Sequence, residues 1–210
     1  MKEINIFGAG GHSLVIESIV KKLNYDAINI FDDNLVNSKI NNFRGNFDDL
    51  VQYNKDYECD NFIAIGDNLI RKEKFLILSS INMNVISIID PSANVSKDVL
   101  IGVGSVIMPG CNINSKSIIG KCAIINTGSN IDHEAKIGDF VHISPGCNLS
   151  GQVQVGRYTW IGIGSTIINN IKIGDNVFIS AGSTIYENIH DNKRIYEKKQ
   201  KLIKSSKLNE

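Results

Sequence analysis

The stretch IGKCAIINTGSNIDHEAKIGDFVHISPG, residues 119–146, places isoleucine at 119, 125, 131, 137 and 143, a step of six. The step extends well beyond this stretch. From Ile89 to Ile185 all seventeen sixth positions are Ile, Leu or Val, without slip or insertion. Four residues after each of the first sixteen stands a small or β-branched residue, among them Ser117, Ala123, Ser129, Ala135 and Cys147. A period of six fits neither the 3.6 of a helix nor the 2 of a simple strand. It fits a parallel β-helix, in which short strands stack coil upon coil. The aliphatic residue then points inward, and the residue four steps on fills the remaining corner space. At roughly 1.5–3 kcal/mol per buried aliphatic side chain, such a series can hold together a segment with few other contacts. Cys111 and Cys147 fall in the small inward slot, which makes them packing residues. The ends of the stack are sheet edges that need covering. Residues 1–88 are expected to cap one end and the stretch from Glu187 the other.

Residues 1–88 follow another rhythm. EINIFGAGGHSLVIESIVKKL reads as a strand, a glycine turn and an amphipathic helix. AINIFDDN supplies a second strand, NFIAIGD a third ahead of the helical NLIRKEKFLILSSI, and VISII a fourth. Strands alternating with helices imply a small parallel α/β sheet with its ligand edge at the strand carboxyl ends. The turn Gly8-Ala9-Gly10-Gly11-His12-Ser13 is close to a dinucleotide fingerprint, with Ser13 where the third glycine would stand. Asp32 and Asp33 close the second strand, about where an acidic residue meets a ribose hydroxyl, and Gly66 and Asp67 close the third. Three strand ends with Gly or Asp point to a nucleotide-type ligand, although the same residues serve as ordinary turn formers.

The bulk numbers set bounds. A chain of 210 residues makes one large domain or two small ones. Its 22 basic and 22 acidic residues cancel, so no global field draws it to nucleic acid. No run approaches the ~20 apolar residues of a membrane span, and MKEINIFGAGGH lacks the apolar core of a signal peptide, so no membrane insertion is expected. Four cysteines without a CxxC pair fit a reduced, cytoplasmic setting.

Within the hexad that begins at Ile131, His133 and Glu134 occupy turn positions, so both side chains should project outward. If a coil takes 18 residues, Gly151 stacks over His133 at about 4.8 Å and Asn169 continues the column. A neighbouring corner carries Thr127, Pro145, Ile163 and Ala181, apolar and low, as a pantetheine arm would need. An outward histidine can be a plain exposed polar residue. A carboxylate beside an imidazole favours its protonated form, which suits a general base near neutral pH. Of the four histidines only His133 and His142 lie in the repeat, nine residues apart with no third ligand, so no metal is expected.

The repeat together with IFGAGGH and INTGSNIDHE resembles the hexapeptide-repeat sugar O- and N-acyltransferases that carry an N-terminal nucleotide-sugar-binding domain. FDDN, FIAIGDNLIRK and FVHISPG strengthen the likeness to the branch that acetylates UDP-linked 4-amino-4,6-dideoxy sugars, and the likeness spans about residues 3–186. The resemblance implies a Rossmann-like α/β domain over 1–88, an all-β left-handed parallel β-helix with three hexads per coil over 89–186, and a charged tail over 187–210. It implies acetyl-CoA as acyl donor and a homotrimer with His133 and the acetyl-CoA groove at each subunit interface. His133 would be the general base and Glu134 would orient it. Gly10, Gly11, His12, Asp32, Asp33, Gly66 and Asn126 would hold the nucleotide-sugar. His142, Gly151, Ile163 and Ala181 would contact acetyl-CoA, with the Gly151 N–H donating to the thioester oxygen. Two departures stand out. The tail lacks the family's Gly-x-Pro segment and reads as a solvated, partly frayed helix, with Lys193, Arg194 and Lys198 available to phosphates. Ala181 stands where glycine is common. The resemblance favours N-acetylation of a nucleotide-linked amino sugar, with O-acetylation of sialic acid or another nonulosonic acid as the alternative. An inactive trimeric binding protein would have lacked His133 or Gly151, and a nicotinamide dehydrogenase fails on size and on the broken glycine motif.

Overall fold

The computed structural model describes residues 2–34 and 39–196, so Lys198 and the tail beyond Tyr196 lie outside the described residues. Strands β1 (Glu3–Phe7), β2 (Ala27–Phe31), β3 (Phe43–Gly45) and β4 (Asp60–Ile63) form a parallel sheet in the order β3-β2-β1-β4. Helices α1 (Gly11–Lys22), α2 (Phe47–Asp56) and α3 (Asn68–Ser80) connect and flank it. The strand order reverses beside β1, which opens a crevice at the carboxyl ends of β1 and β4. The sequence had not announced β3 or α2. The strand has three residues, and the helix has ten, marked by an Asn46–Asp49 capping box and the short apolar step Phe47, Leu50, Val51. VISII, conversely, is no strand of this sheet. Val85 makes a single bridge to Asn61, while Ile88 N–H bonds to Ser105 O and so belongs to the next unit.

That unit runs from β5 (Ile88–Ile89) to β22 (Arg194–Ile195) as two-residue parallel strands. Pairing through the repeat is offset by 18 residues, as in Ile118↔Lys136, Ile124↔His142 and Asn130↔Asn148. Three flat faces of seven, six and five strands result, wound as a left-handed parallel β-helix. From Ile107 to Ile185 every member of the six-step series is buried. Cys111 and Cys147 are buried as well, and hydroxyls in the same slot knit the coils: Ser117 Oγ donates to Asp132 O at 2.8 Å and Ser129 Oγ to Ser144 O at 2.9 Å.

Two expectations about the ends need correcting. Residues 1–88 do not cap the first coil, where Ile89 stays 38% exposed. They clad the seven-stranded face instead, where outward Ile88, Val106 and Ile124 share one core with Ile4, Ile16, Ile19 and Val20. Nor is the stretch from Glu187 to Tyr196 a frayed helix. Ile189 bridges Ile173, and Arg194–Ile195 pairs with Phe178–Ile179. The six-step series slips by two residues after Ile185 and resumes at Ile189 and Ile195, covering the last inward aliphatics.

Arg71 joins the two units. It is 1% exposed and donates from Nε to Cys122 O (2.8 Å), from Nη1 to Ile65 O (2.8 Å) and Gly66 O (2.9 Å), and from Nη2 to Asn68 Oδ1 (2.7 Å) and Phe140 O (3.2 Å). Burial lowers its pKa to about 10, which leaves it charged. A carbonyl abandoned in this setting costs about 1–3 kcal/mol. Arg71→Met is therefore expected to lose about 3 kcal/mol or more in urea unfolding. Arg71→Lys should fail to restore it, since one ammonium cannot span these acceptors; wild-type stability in either variant would contradict this role.

Candidate active site

His133 and Glu134 lie at the vertex between the six- and five-stranded faces. His133 Nδ1 is 3.3 Å from Glu134 Oε2, and that oxygen also accepts from Gln152 Nε2 of the next coil at 3.0 Å. Glu134 sits below the usual carboxylate range, first because of the Gln152 amide and then because of His133. The imidazole, with its side chain 55% exposed, leans across the residue stacked above it. A Cβ added to Gly151 would stand 2.5 Å from His133 Nε2, so only glycine leaves room for the ring. Gly151 is consequently buried, and its N–H donates to no backbone acceptor among the described residues.

The vertex between the seven- and six-stranded faces is different. Thr127, Pro145, Ile163 and Ala181 are each followed by a glycine, and Gly128, Gly146, Gly164 and Gly182 have φ of +67°, +66°, +68° and +72°. A Cβ at any of the four would meet nothing within 4 Å. The result is a low ridge of backbone with open space above it and Ile163 56% exposed along it. A thin acyl-pantetheine chain fits such a ridge, which offers amide groups and, apart from Ile163, only small side chains.

On the seven-stranded face the nucleotide-type turn meets the β-helix. Gly10 caps α1 without a side-chain acceptor, and a Cβ at Gly10, Gly11 or Gly66 would meet nothing within 4 Å. Ser13 N–H is taken by Gly10 O at 3.0 Å, while among the described residues the Gly11 and His12 N–H groups have no backbone acceptor and are left for an anion. Ser13 is accommodated because its Oγ donates to Gly10 O at 2.7 Å. Asp32 braces the turn, its Oδ2 accepting from Ala9 N and its Oδ1 from Asn34 N, both at 2.7 Å. Asp33 accepts from Phe47 N at 3.0 Å, and Asp67 caps α3.

Next to this turn, His142 packs against Trp160 with ring centroids 4.3 Å apart and the planes tilted by 38°, and its Nε2 lies 3.2 Å from Asn126 Nδ2. Burial, then the charges of Arg71 and His12, push His142 down to about 3, with the Gly66 backbone opposing. Burial, then Arg71, pushes His12 down to about 4. Both rings are neutral at pH 7. His12 Nε2 and His142 Nδ1 are buried with no protein partner, and Gly66 falls short of a hydrogen bond to the latter. Two orphaned ring nitrogens beside an open glycine turn fit a polar ligand.

The structure thus brings Gly10, Gly11, His12, Asp32, Gly66, Asn126 and His142 to one side, with Asp33 at the adjoining strand end. Ile163 and Ala181 lie on the neighbouring vertex. His133, Glu134 and Gly151 are not with them, because their vertex is the one opposite the seven-stranded face. Six residues per side put that vertex on the order of 15 Å across the prism. Gln152 and Trp160 escaped notice in the sequence, although each lies 18 residues beyond a singled-out neighbour, Glu134 and His142. Arg71 left no such signal, since an arginine in an amphipathic helix reads as solvated. Among the described residues, no group of three or more His, Cys, Asp or Glu is placed to hold a metal, and no helix is long and apolar enough to cross a membrane.

A family model described as PglD N-terminal domain matches residues 3–78, and one described as Bacterial transferase hexapeptide (six repeats) matches residues 152–187. The chain is similar to the acetyltransferase domain of PglB from Neisseria gonorrhoeae FA1090 in complex with acetyl coenzyme A. Identity is 30%, coverage 92% of this chain and 95% of that one, and the TM-score 0.87. It is similar to PerB from Caulobacter crescentus in complex with CoA and GDP-perosamine, at 29% identity, 92% and 93% coverage and a TM-score of 0.87. WeeI from Acinetobacter baumannii AYE, at 19% identity, 92% and 96% coverage and a TM-score of 0.82, shares the fold.

The depressed pKa values of His12 and His142 have a consequence for stability. Both imidazoles gain protons in the unfolded chain near 6.5, but not in the folded one until about 4 and 3. Their contribution is complete above about pH 6.5 and is lost as pH falls through that window, by at most about 1.4 kcal/mol per pH unit for each ring. Urea unfolding between pH 7 and 5 should show stability falling with pH, and the His12→Gln/His142→Gln pair should flatten the slope. An equal slope in wild type and double variant would exclude these rings as its source.

Proposed function

This chain belongs to the hexapeptide-repeat sugar N-acetyltransferases, and on that premise we propose that it moves an acetyl group from acetyl-CoA to the amine of a nucleotide-linked amino sugar. The observation that carries the reading is the separation within one chain of a nucleotide-type turn and a base. The turn Gly10–His12, Gly66, Asn126 and His142 would hold the acceptor, and the ridge at Ile163 and Ala181 would carry the pantetheine arm. His133 must then come from a second copy.

Threefold closure meets that demand. If the His133 vertex of one copy lies against the glycine ridge of the next, the six-stranded face between those vertices turns toward the axis. That face suits the position. One outward column is Asn94, Asn112, Asn130, Asn148, Thr166 and Thr184, uncharged, with Asn112 donating to Asn130 at 2.7 Å and Asn130 to Asn148 at 2.8 Å, and the column beside it, Asn114, Asp132 and Ser150, holds a single carboxylate. The five-stranded face carries Lys136 and Lys172, and the seven-stranded face is clad by residues 1–88.

In the assembled site His133 Nε2 takes a proton from the amine as its nitrogen attacks the thioester carbonyl. A C–N bond forms, the C–S bond breaks, and the proton passes on to the leaving thiolate. Glu134, itself steadied by Gln152, holds the ring through Nδ1. The Gly151 N–H, in the same column, is the donor for the developing oxyanion. No acyl-enzyme is needed. The soluble, cytoplasmic setting of an enzyme that uses acetyl-CoA and a nucleotide-sugar is part of the same proposal.

Thiol release from acetyl-CoA with UDP-, dTDP- and GDP-linked amino sugars, and with free and CMP-linked sialic acid, tests the reading. Turnover on an amino sugar should fall by about 10²–10⁴ in His133→Ala. Gly151→Ala should lose at least tenfold while remaining folded, because its Cβ displaces the ring. Co-refolding inactive His133→Ala with inactive Asn126→Ala should restore part of the activity, since mixed assemblies contain sites with both residues intact. Turnover confined to sialic acid would replace the acceptor assignment, and an unimpaired His133→Ala would remove the base.

A further inference from the structure

A cavity of about 500 Å³ lies at the carboxyl ends of the N-terminal strands, lined by Phe7, Asp32, Asp33, Asn34, Ile65, Ile70 and Lys74. Its chemistry is uneven. The Asp32 oxygens each hold a backbone N–H of the turn, so Asp32 acts as a brace. Asp33, with its side chain 54% exposed, is the carboxylate that faces outward. Lys74 is unusual for a lysine on a surface helix, because its side chain is only 14% exposed. Its ammonium donates to Asp33 Oδ2 at 3.0 Å and lies 4.2 Å and 5.2 Å from the Phe47 and Phe7 ring centroids. A carboxylate and two ring faces hold this charge in place, so a fixed donor stands beside a fixed acceptor, bounded by the apolar Phe7, Ile65 and Ile70.

We propose that Asp33 and Lys74 read the base of the nucleotide-sugar, selecting a ring that presents a carbonyl beside a ring N–H. The inference rests on the nucleotide-sugar reading above and names the base class it leaves open. Lys74 retains N–H donors for a carbonyl, and each Asp33 oxygen retains a lone pair for a ring N–H. Uracil and thymine carry a carbonyl on both sides of that N–H and match the pair in either order, whereas guanine matches in one. In the same pose cytosine and adenine would set an amino group against the ammonium and a bare nitrogen against the carboxylate. The pose is constrained from the other end, where the open Gly10–Gly11 turn and the first turn of α1 would hold the diphosphate, so the ring cannot be exchanged end for end without swinging the ribose. Leaving these fixed groups mispaired is how a site built on hydrogen bonds rejects a near-isostere.

Calorimetric titration of the full chain with UDP, dTDP, GDP, CDP and ADP, without acetyl-CoA, tests the assignment apart from catalysis. At least one of UDP, dTDP and GDP should bind tenfold or more tightly than CDP and ADP, and which one does so names the base. Lys74→Met keeps the aliphatic stem over Phe47, yet should weaken that nucleotide roughly tenfold to hundredfold, the worth of one charge-assisted hydrogen bond. CDP and ADP should change by less than threefold, and Lys74→Arg should retain most of the preference. Equal binding of all five nucleotides in wild type, or equal weakening of all five in Lys74→Met, overturns the base-reading role and leaves the enzyme assignment standing. Failure of every nucleotide to bind overturns both.

Discussion

The hydrogen bond between one coil and the coil 18 residues later is the constraint on which the rest of this molecule depends. Each strand has two residues, so no strand is stable by itself; stability comes from repetition of the offset and from the aliphatic side chain it buries each time. The offset also imposes a geometry. Whatever stands at a vertex is seen again one coil higher, and chemistry must be arranged in columns. His133 under Gly151 and Glu134 beneath Gln152 are such columns, as is the asparagine row of the six-stranded face. In this fold a catalytic side chain is positioned by what the repeat omits above it as much as by what it hydrogen-bonds.

A second dependence runs through Arg71. The N-terminal unit and the β-helix share an apolar core, yet apolar contacts alone would allow sliding along the seven-stranded face. The guanidinium removes that freedom by binding carbonyls from both units, Ile65 and Gly66 on one side and Cys122 and Phe140 on the other. It thereby fixes the Gly66 turn against His142. The same positive charge helps keep His12 and His142 neutral, so one buried residue serves both alignment and electrostatics.

Much of this was legible in the sequence because the repeat is strict. The period of six names the fold, and the 18-residue column places Gly151 over His133. What escaped notice had identifiable physical causes. β3 is too short to carry a pattern, and α2 has only ten residues, so its capping box and the Phe47, Leu50, Val51 step are brief signals in a polar stretch. The tail looked irregular because its phase slips by two residues at Ile189, which hides a continuing coil. Residues 1–88 were expected at the end of the stack because an open end is the obvious liability. The outward Ile88, Val106 and Ile124 were the missed signal, since apolar residues on an outer face need a partner there. The approach of Asp33 and Lys74, 41 residues apart, follows from neither motif nor period.

The fixed offset also sets rules for how such a chain can change its length. Removing 18 residues from the β-helix away from the site returns every column to itself and merely shortens the prism by one coil, about 4.8 Å. Removing six keeps every inward aliphatic in phase, and so preserves the core, but turns everything beyond the deletion by one face. Gly151 would then leave His133, and the glycine ridge would continue as the column of Gly151 and Asn169. Fold and site therefore have different periods, six for one and eighteen for the other. A lineage of such proteins is free to gain or lose whole turns, while two deletions in every three that the core tolerates would erase the chemistry.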